Sequence, residues 1–276
     1  MVAQVVVGLI GFGTLGQGLA SAIATGLAGN TALGAVLVRP SGVEAALASL
    51  DQIGLRPVLT ADPDRFFEAN TTLIVEAAGQ EALRLYAARA LELQRDLLVC
   101  ATGAFTDDVL FNRLSLLAGQ AGRRLIIPSG AIAGIDALAS AAIAGLDEVC
   151  IVTRKPPRAW LGTAAEDLVD LDNVREEAYC LFEGSAREAA RLFPQNVNVA
   201  ATLACAGIGL DRTRARVYAD PTISRNLHQI QIKGSCGQIS IEVCGLPSPG
   251  NPRTSALTAY SLIKTVRNLT SPVVIG

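Results

Sequence analysis

From Val5 to about Pro128, short β-branched and aliphatic runs alternate with stretches whose apolar positions recur at helical spacing. Residues 5–10, 35–38, 56–59, 73–76, 97–100 and 125–127 read as strands. Their nearly continuous apolar character is that of strands buried on both faces. Between them Leu15, Leu19 and Ile23 fall four apart on one helical face, and 80–94 and 106–120 share that periodicity. Alternation of this kind predicts an α/β fold, a Rossmann-type doubly wound parallel sheet with right-handed crossovers.

Beyond Ser129 the pattern changes. Residues 135–144 read as a helix and 148–154 as a strand. Ser185 followed by Glu188 forms a capping box that opens a helix ending at Pro194, and a further helix covers 197–206. Residues 214–218, 227–233 and 238–243 alternate as strands, the last two joined through Gly234–Gly237 as a hairpin. The expectation is a dinucleotide-binding domain over 1–128 and a substrate and catalytic α+β domain over 129–252 with a mixed or antiparallel sheet. The Pro/Gly-rich stretch 246–252 then leads into a last helix, 255–267, so that 253–276 packs back on the first domain.

Composition narrows the function. Of 276 residues 50% are hydrophobic and 17% charged, with a net charge of -2, which suits a globular core. Without a cluster of lysine and arginine the chain lacks the footprint of a nucleic-acid binder. Residues 1–38 carry no charged side chain, yet they lack a basic n-region, and repeated glycines interrupt the apolar run, so neither a signal peptide nor a membrane span is expected. Six cysteines without a CxxC pair, alongside one histidine, give no zinc site and no expected metal. They read as small buried hydrophobes in a reducing cytoplasm.

The chemistry starts at Gly11-Phe12-Gly13-Thr14-Leu15-Gly16, which directly follows a strand and opens a helix. Gly11 permits the tight turn, Gly13 lets backbone approach a diphosphate, and Gly16 lets helix and strand pack closely, with the anion at the positive helix end. Where an NAD-specific site carries an acid, the second strand ends in Val38-Arg39-Pro40-Ser41. Arg39 suits the 2′-phosphate of NADP, with Ser41 as a further donor; the other reading is a solvated strand-end arginine. Glu76-Ala77-Ala78-Gly79 ends the fourth strand, where small residues such as Ala78 let a cofactor pass the backbone. Glu76 is either catalytic or a strand-end carboxylate paired with a nearby cation. Ser129-Gly130-Ala131 follows the sixth strand at the crossing between domains. Arg154 and Lys155, in Thr153-Arg154-Lys155-Pro156, are either substrate-carboxylate anchors or ordinary strand-end basic residues. His228 is the one histidine, and it is the leading group for proton transfer at neutral pH, although a histidine in an alternating strand is often structural.

The run Pro194 to Thr213 (PQNVNVAATLACAGIGLDRT), then Ala219-Asp220-Pro221, Asn226-Leu227-His228 and the run Asn251 to Leu257, closely resembles the L-aspartate dehydrogenases, and the resemblance covers the whole chain. It implies oxidative deamination of L-aspartate to oxaloacetate and ammonia through iminoaspartate with NAD or NADP, the reverse amination, and a possible supply of imine toward NAD biosynthesis. It makes His228 the active-site histidine, Ala131 and Asn198 nicotinamide-side cofactor contacts, and the protein a homodimer, while the cysteine pattern places it in the cytoplasm. Arg39 departs from an NAD-type pattern. The alternatives are a related dehydrogenase or imine reductase of another small amino or keto acid, and a non-catalytic NADP-binding sensor.

Overall fold

The structure is a computed structural model that describes residues 4–194, 198–248 and 251–275, with the backbone alone at 251–254. It divides into two compact units, residues 1–128 with 259–276, and residues 129–258.

Unit 1 runs β1 (Val5–Ile10), α1 (Thr14–Ala24), β2 (Thr31–Leu37), α2 (Val43–Gln52), β3 (Val58–Thr60), α3 (Pro63–Glu68), β4 (Leu73–Glu76), α4 (Gln80–Glu92), β5 (Asp96–Val99), α5 (Asp108–Ala121) and β6 (Leu125–Ile126). The six strands pair in the order β3-β2-β1-β4-β5-β6, all parallel, which is the doubly wound sheet the pattern predicts. Alternation along β1 sends Val7 and Leu9 into a core shared with Leu19 and Ile23 of α1 and Leu50 of α2. On the opposite face Gly8 lies under Ile74 and Phe66, so that α3 can approach the sheet. β2 begins four residues before the expected strand. Gly34, which looks like a turn residue, is there because a Cβ would fall 2.7 Å from Val6 Cγ1 of the neighbouring strand.

Unit 2 continues with α6 (Ile135–Ala144), β7 (Leu146–Lys155), β8 (Tyr179–Ser185), α7 (Ala186–Leu192), α8 (Asn198–Ala206), β9 (Arg214–Ala219), β10 (Asn226–Gly234), β11 (Gly237–Gly245), β12 (Pro247–Ser248) and β13 (Asn251–Ser255). Val197, where the expected helix begins, and Pro249 and Gly250 of the Pro/Gly-rich stretch lie outside the described residues. The main sheet has the order β11-β10-β7-β9-β8; β7 and β9 are parallel and the other pairs antiparallel, as a mixed sheet requires. One face carries Val149, Ile151, Ile230, Ile232, Ala215 and Val217 against Leu138 of α6, Ala189 of α7 and Leu203 of α8. The other face is polar, with cross-strand pairs Lys233–Glu148 at 2.9 Å and Arg216–Glu183 at 2.8 Å. Ser185 and Glu188 form the expected capping box at the start of α7.

The last helix, α9 (Ala256–Asn268), places Leu262 and Val266 in the unit 1 core beside Leu19 and Ile23. All six cysteines are unpaired, and only Cys100, Cys150 and Cys205 are shielded. The expectation that they are buried fails at Cys180 on edge strand β8, Cys236 in the hairpin turn and Cys244 on edge strand β11, because an edge strand or a turn has no neighbour to cover it. Among the described residues no helix is long and apolar enough to cross a membrane, and no group of three or more His, Cys, Asp or Glu could hold a metal.

Candidate active site

In unit 1 the chain leaves β1 through Gly11, whose φ of +91° suits glycine alone and whose N–H donates to Leu37 O at 2.9 Å. That bond ties the glycine turn to the end of β2, two residues before Arg39. A Cβ on Gly16 would strike the Gly11 carbonyl oxygen and come within 3.2 Å of Leu9 Cδ2, so Gly16 is what lets α1 lie on β1. Gly13 differs: its φ is -80°, and a Cβ there would meet nothing within 4 Å. Gly13 caps α1 with no side-chain hydrogen bond, and the first turn carries no acid. The open space and the uncapped positive helix end fit the diphosphate of a nicotinamide dinucleotide. Thr14 and Leu15 form the first turn of α1; the Leu15 side chain packs on the core, which leaves its backbone toward that end.

Arg39 is exposed beyond β2 and has no ion-pair partner among the described residues, so its guanidinium is available to a phosphate. Ser41 is exposed beside it. Ala78 lies at the contact with Gly11. Among the described residues Glu76 has no cationic partner, contrary to one expectation for it: its carboxylate accepts from the backbone N–H groups of Ala78, Gly79 and Ala101. The strand ends inside the protein, where turn amides supply the donors.

In unit 2 the chemistry collects on the covered face of the sheet. Antiparallel pairing sets His228 of β10 opposite Thr153 of β7. Thr153 Oγ1 lies 3.1 Å from His228 Nδ1. Lys155 is two residues further along β7 and therefore on the same face. His228, Thr153 and Lys155 are 3%, 1% and 4% exposed. Burial, with the neighbouring Lys155 charge second, depresses the imidazole from 6.5 to about 3, and burial brings the Lys155 ammonium from 10.5 down to about 8. At neutral pH the histidine is neutral and the lysine charged. Lys155 Nζ sits 5.2 Å from the ring centre of Trp160, whose Nε1 donates to Tyr218 O at 3.2 Å.

Arg154 is not brought to this face. Alternation turns it to the other side, where it pairs with Asp220 Oδ2 at 3.1 Å and lies over the Tyr218 ring at 4.4 Å. Asp220 stays ionised, since burial, which raises its pKa, is outweighed by hydrogen bonds from Thr222 and the Arg154 charge. Ala131 is half-buried between Gly130 (φ +68°) and Gly134 (φ +72°) and packs on the unit 2 core, and Asn198 is the first residue of α8. Sequence reasoning missed Trp160 and the role of Thr153. Trp160 had a signal, being the one tryptophan of the chain. Thr153 had none, because its partner is 75 residues away.

Residues 136–269 match the family described as aspartate dehydrogenase, C-terminal, and residues 11–128 match the homoserine dehydrogenase NAD binding domain. The L-aspartate dehydrogenase of Ralstonia pickettii (strain 12J) is 39% identical over 262 residues, covering 95% of this chain and 96% of the relative. The chain belongs to the L-aspartate dehydrogenase family. A second such relative, from Methanosarcina barkeri (strain Fusaro / DSM 804), is 47% identical over 75% of this chain and 77% of its own length. The crystal structure of aspartate dehydrogenase from Thermotoga maritima superposes with a TM-score of 0.76 at 28% identity, covering 99% of this chain and 100% of that one. Outside the L-aspartate dehydrogenase family, scyllo-inositol dehydrogenase from Lactobacillus casei, solved with NAD(H) and scyllo-inositol, shares the fold at a TM-score of 0.59 and 13% identity.

Proposed function

We propose that this chain is an NAD(P)-dependent L-aspartate dehydrogenase, an amino-acid dehydrogenase that deaminates L-aspartate to oxaloacetate and ammonia through iminoaspartate and runs the reverse amination. Unit 1 holds the cofactor through Gly11, Gly13, Thr14, Leu15, Gly16, Arg39 and Ala78, with Ala131 and Asn198 as its nicotinamide-side contacts. Residues 1–128 are then the dinucleotide-binding domain, and the substrate domain begins at 129. The observation that carries the reading is the buried face on which Thr153, His228 and Lys155 meet.

A bound nicotinamide supplies the two-electron acceptor for the substrate Cα–H bond. The residues of this chain do the rest. Lys155 pairs its ammonium with a substrate carboxylate and so fixes the orientation of Cα. His228, with Nδ1–H donating to Thr153 Oγ1, presents Nε2 as a base. It takes a proton from the water that adds to the imine carbon and returns it to the departing nitrogen. A carboxylate against Lys155 cancels one of the two causes that depress the imidazole, so substrate binding itself strengthens the base.

Arg39, exposed and without an ion-pair partner among the described residues, favours NADP, with NAD also accepted. Resemblance to the family supports a homodimer with the imine available to NAD biosynthesis, and the six unpaired cysteines suit a reducing cytoplasm.

The experiment is oxidation of NADPH and NADH by oxaloacetate plus ammonia, with wild type, His228→Ala and Arg39→Ala. Turnover should fall roughly 100- to 10,000-fold in His228→Ala with dinucleotide binding retained. In Arg39→Ala the NADPH/NADH preference should drop by about 10-fold. NADPH binding without turnover in wild type would favour a sensor instead.

A further inference from the structure

β4 ends in Glu76, a carboxylate only 1% exposed in a strand that is otherwise aliphatic. Burial raises its pKa above the ordinary carboxylate value, and the backbone amides that donate to it work against that rise. Oε1 accepts from the N–H of Ala78 at 2.8 Å and of Gly79 at 2.7 Å, and Oε2 accepts from the N–H of Ala101 at 3.0 Å. One side chain therefore joins the β4–α4 turn to the segment after β5, at the carboxyl edge of the sheet where a dinucleotide lies in folds of this kind.

That turn is the one against which the glycine motif is built. The Cα and Cβ of Ala78 stand 2.7 Å from the point a Cβ on Gly11 would occupy, so the turns that follow the paired strands β1 and β4 meet backbone to backbone. Gly79, with φ +129° and ψ 176°, adopts a conformation reserved for glycine, and the space beyond its Cα is open. Neither α1 nor α4 has a side-chain cap at its N-terminus, but in the β4–α4 turn the amides of Ala78 and Gly79 donate to an internal carboxylate.

We infer that Glu76 is a positioning residue for the dinucleotide: it holds Ala78 and Gly79 by their amides and so fixes the wall of the cradle against Gly11. The inference rests on the cofactor reading above.

Glu76→Gln keeps an acceptor for Ala78 and Gly79 but turns an NH2 group toward the Ala101 N–H, and Glu76→Ala removes every acceptor. NADPH and NADH binding to the full chain is measured by fluorescence titration, together with Tm without cofactor and steady-state constants. The Kd of both dinucleotides should rise about 5-fold in Glu76→Gln and about 50-fold in Glu76→Ala. The KM of the dinucleotide should follow, while kcat at saturating dinucleotide and the KM of aspartate stay within about 2-fold of wild type. Wild type that binds neither dinucleotide overturns the cofactor reading and this inference with it. Wild type that binds while both variants bind equally well overturns the inference alone, as does a loss of kcat with Kd unchanged. If neither variant folds, amide hydrogen exchange in wild type decides. Ala78, Gly79 and Ala101 share one carboxylate and should open together with a common protection, and independent exchange overturns the assignment.

Discussion

Thr153 and His228 face each other across the β7–β10 ladder, with Oγ1 3.1 Å from Nδ1. For His228 to act as a base at Nε2, as proposed, its Nδ1 must carry the proton and donate it to Thr153 Oγ1. Thr153→Val has nearly the same shape and removes the acceptor. Its kcat for aspartate oxidation should fall by about 10-fold, equivalent to about 1.4 kcal/mol, with Tm little changed and Thr153→Ser restoring the rate. An unaltered kcat in Thr153→Val would mean the hydroxyl does not set the tautomer.

Acid should destabilise the fold through His228. Its folded-state pKa is depressed from 6.5 to about 3 by burial and then by Lys155, so between those values the native state binds fewer protons than the unfolded chain. Stability therefore rises with pH through this window and is lost as pH falls below 6.5. Between neutral pH and about pH 5 the cost amounts to about 2 kcal/mol. Urea midpoints at the two pH values should separate less in His228→Gln than in wild type; equal separations would contradict the burial of a neutral imidazole.

Lys155 carries its charge below about 8, where burial has placed its pKa. Competitive inhibition by succinate, which has the carboxylates of the substrate and no amine to titrate, should weaken above that pH by up to about 10-fold per unit. Lys155→Met should bind succinate at least about 10-fold more weakly and without that pH dependence. A flat inhibition profile in wild type would remove Lys155 from the substrate site.

Gly13 and Gly16 should fail in opposite ways when each becomes alanine. A Cβ at Gly13 meets nothing within 4 Å, so Gly13→Ala should fold normally and lose dinucleotide affinity by about 10-fold or more. A Cβ at Gly16 collides with the Gly11 carbonyl, so Gly16→Ala should lower stability itself by about 1–3 kcal/mol. Thermal melts with and without NADPH separate the two effects, and a destabilised Gly13→Ala or an unperturbed Gly16→Ala would count against this account.

Much of the scaffold was legible because its signals are local. β1 and β4 have the bounds their apolar runs predict, and α7 opens on its capping box. The hairpin of β10 and β11 turns at its glycines. β8 escaped notice because it is an edge strand with few covered positions, and without burial no apolar run is needed. β12 and β13 lie in a proline-rich stretch that reads as a connection. Glu76 stood out as an acid at a strand end, but its amide partners come from two different turns, and no spacing announces them.

The sequence by itself determined the doubly wound sheet and the glycine turn that opens α1, and it singled out His228 as the candidate for proton transfer, since each depends on residue type and spacing within a single element. Tertiary structure alone decided that Lys155 shares a face with Thr153 and His228 while Arg154 pairs with Asp220 on the other. Alternation says that neighbouring residues part ways, but which face the helices cover is set by distant packing. It also decided that the histidine is buried and neutral. Desolvation and strand register sum contributions from side chains far apart along the chain, and no local pattern encodes them.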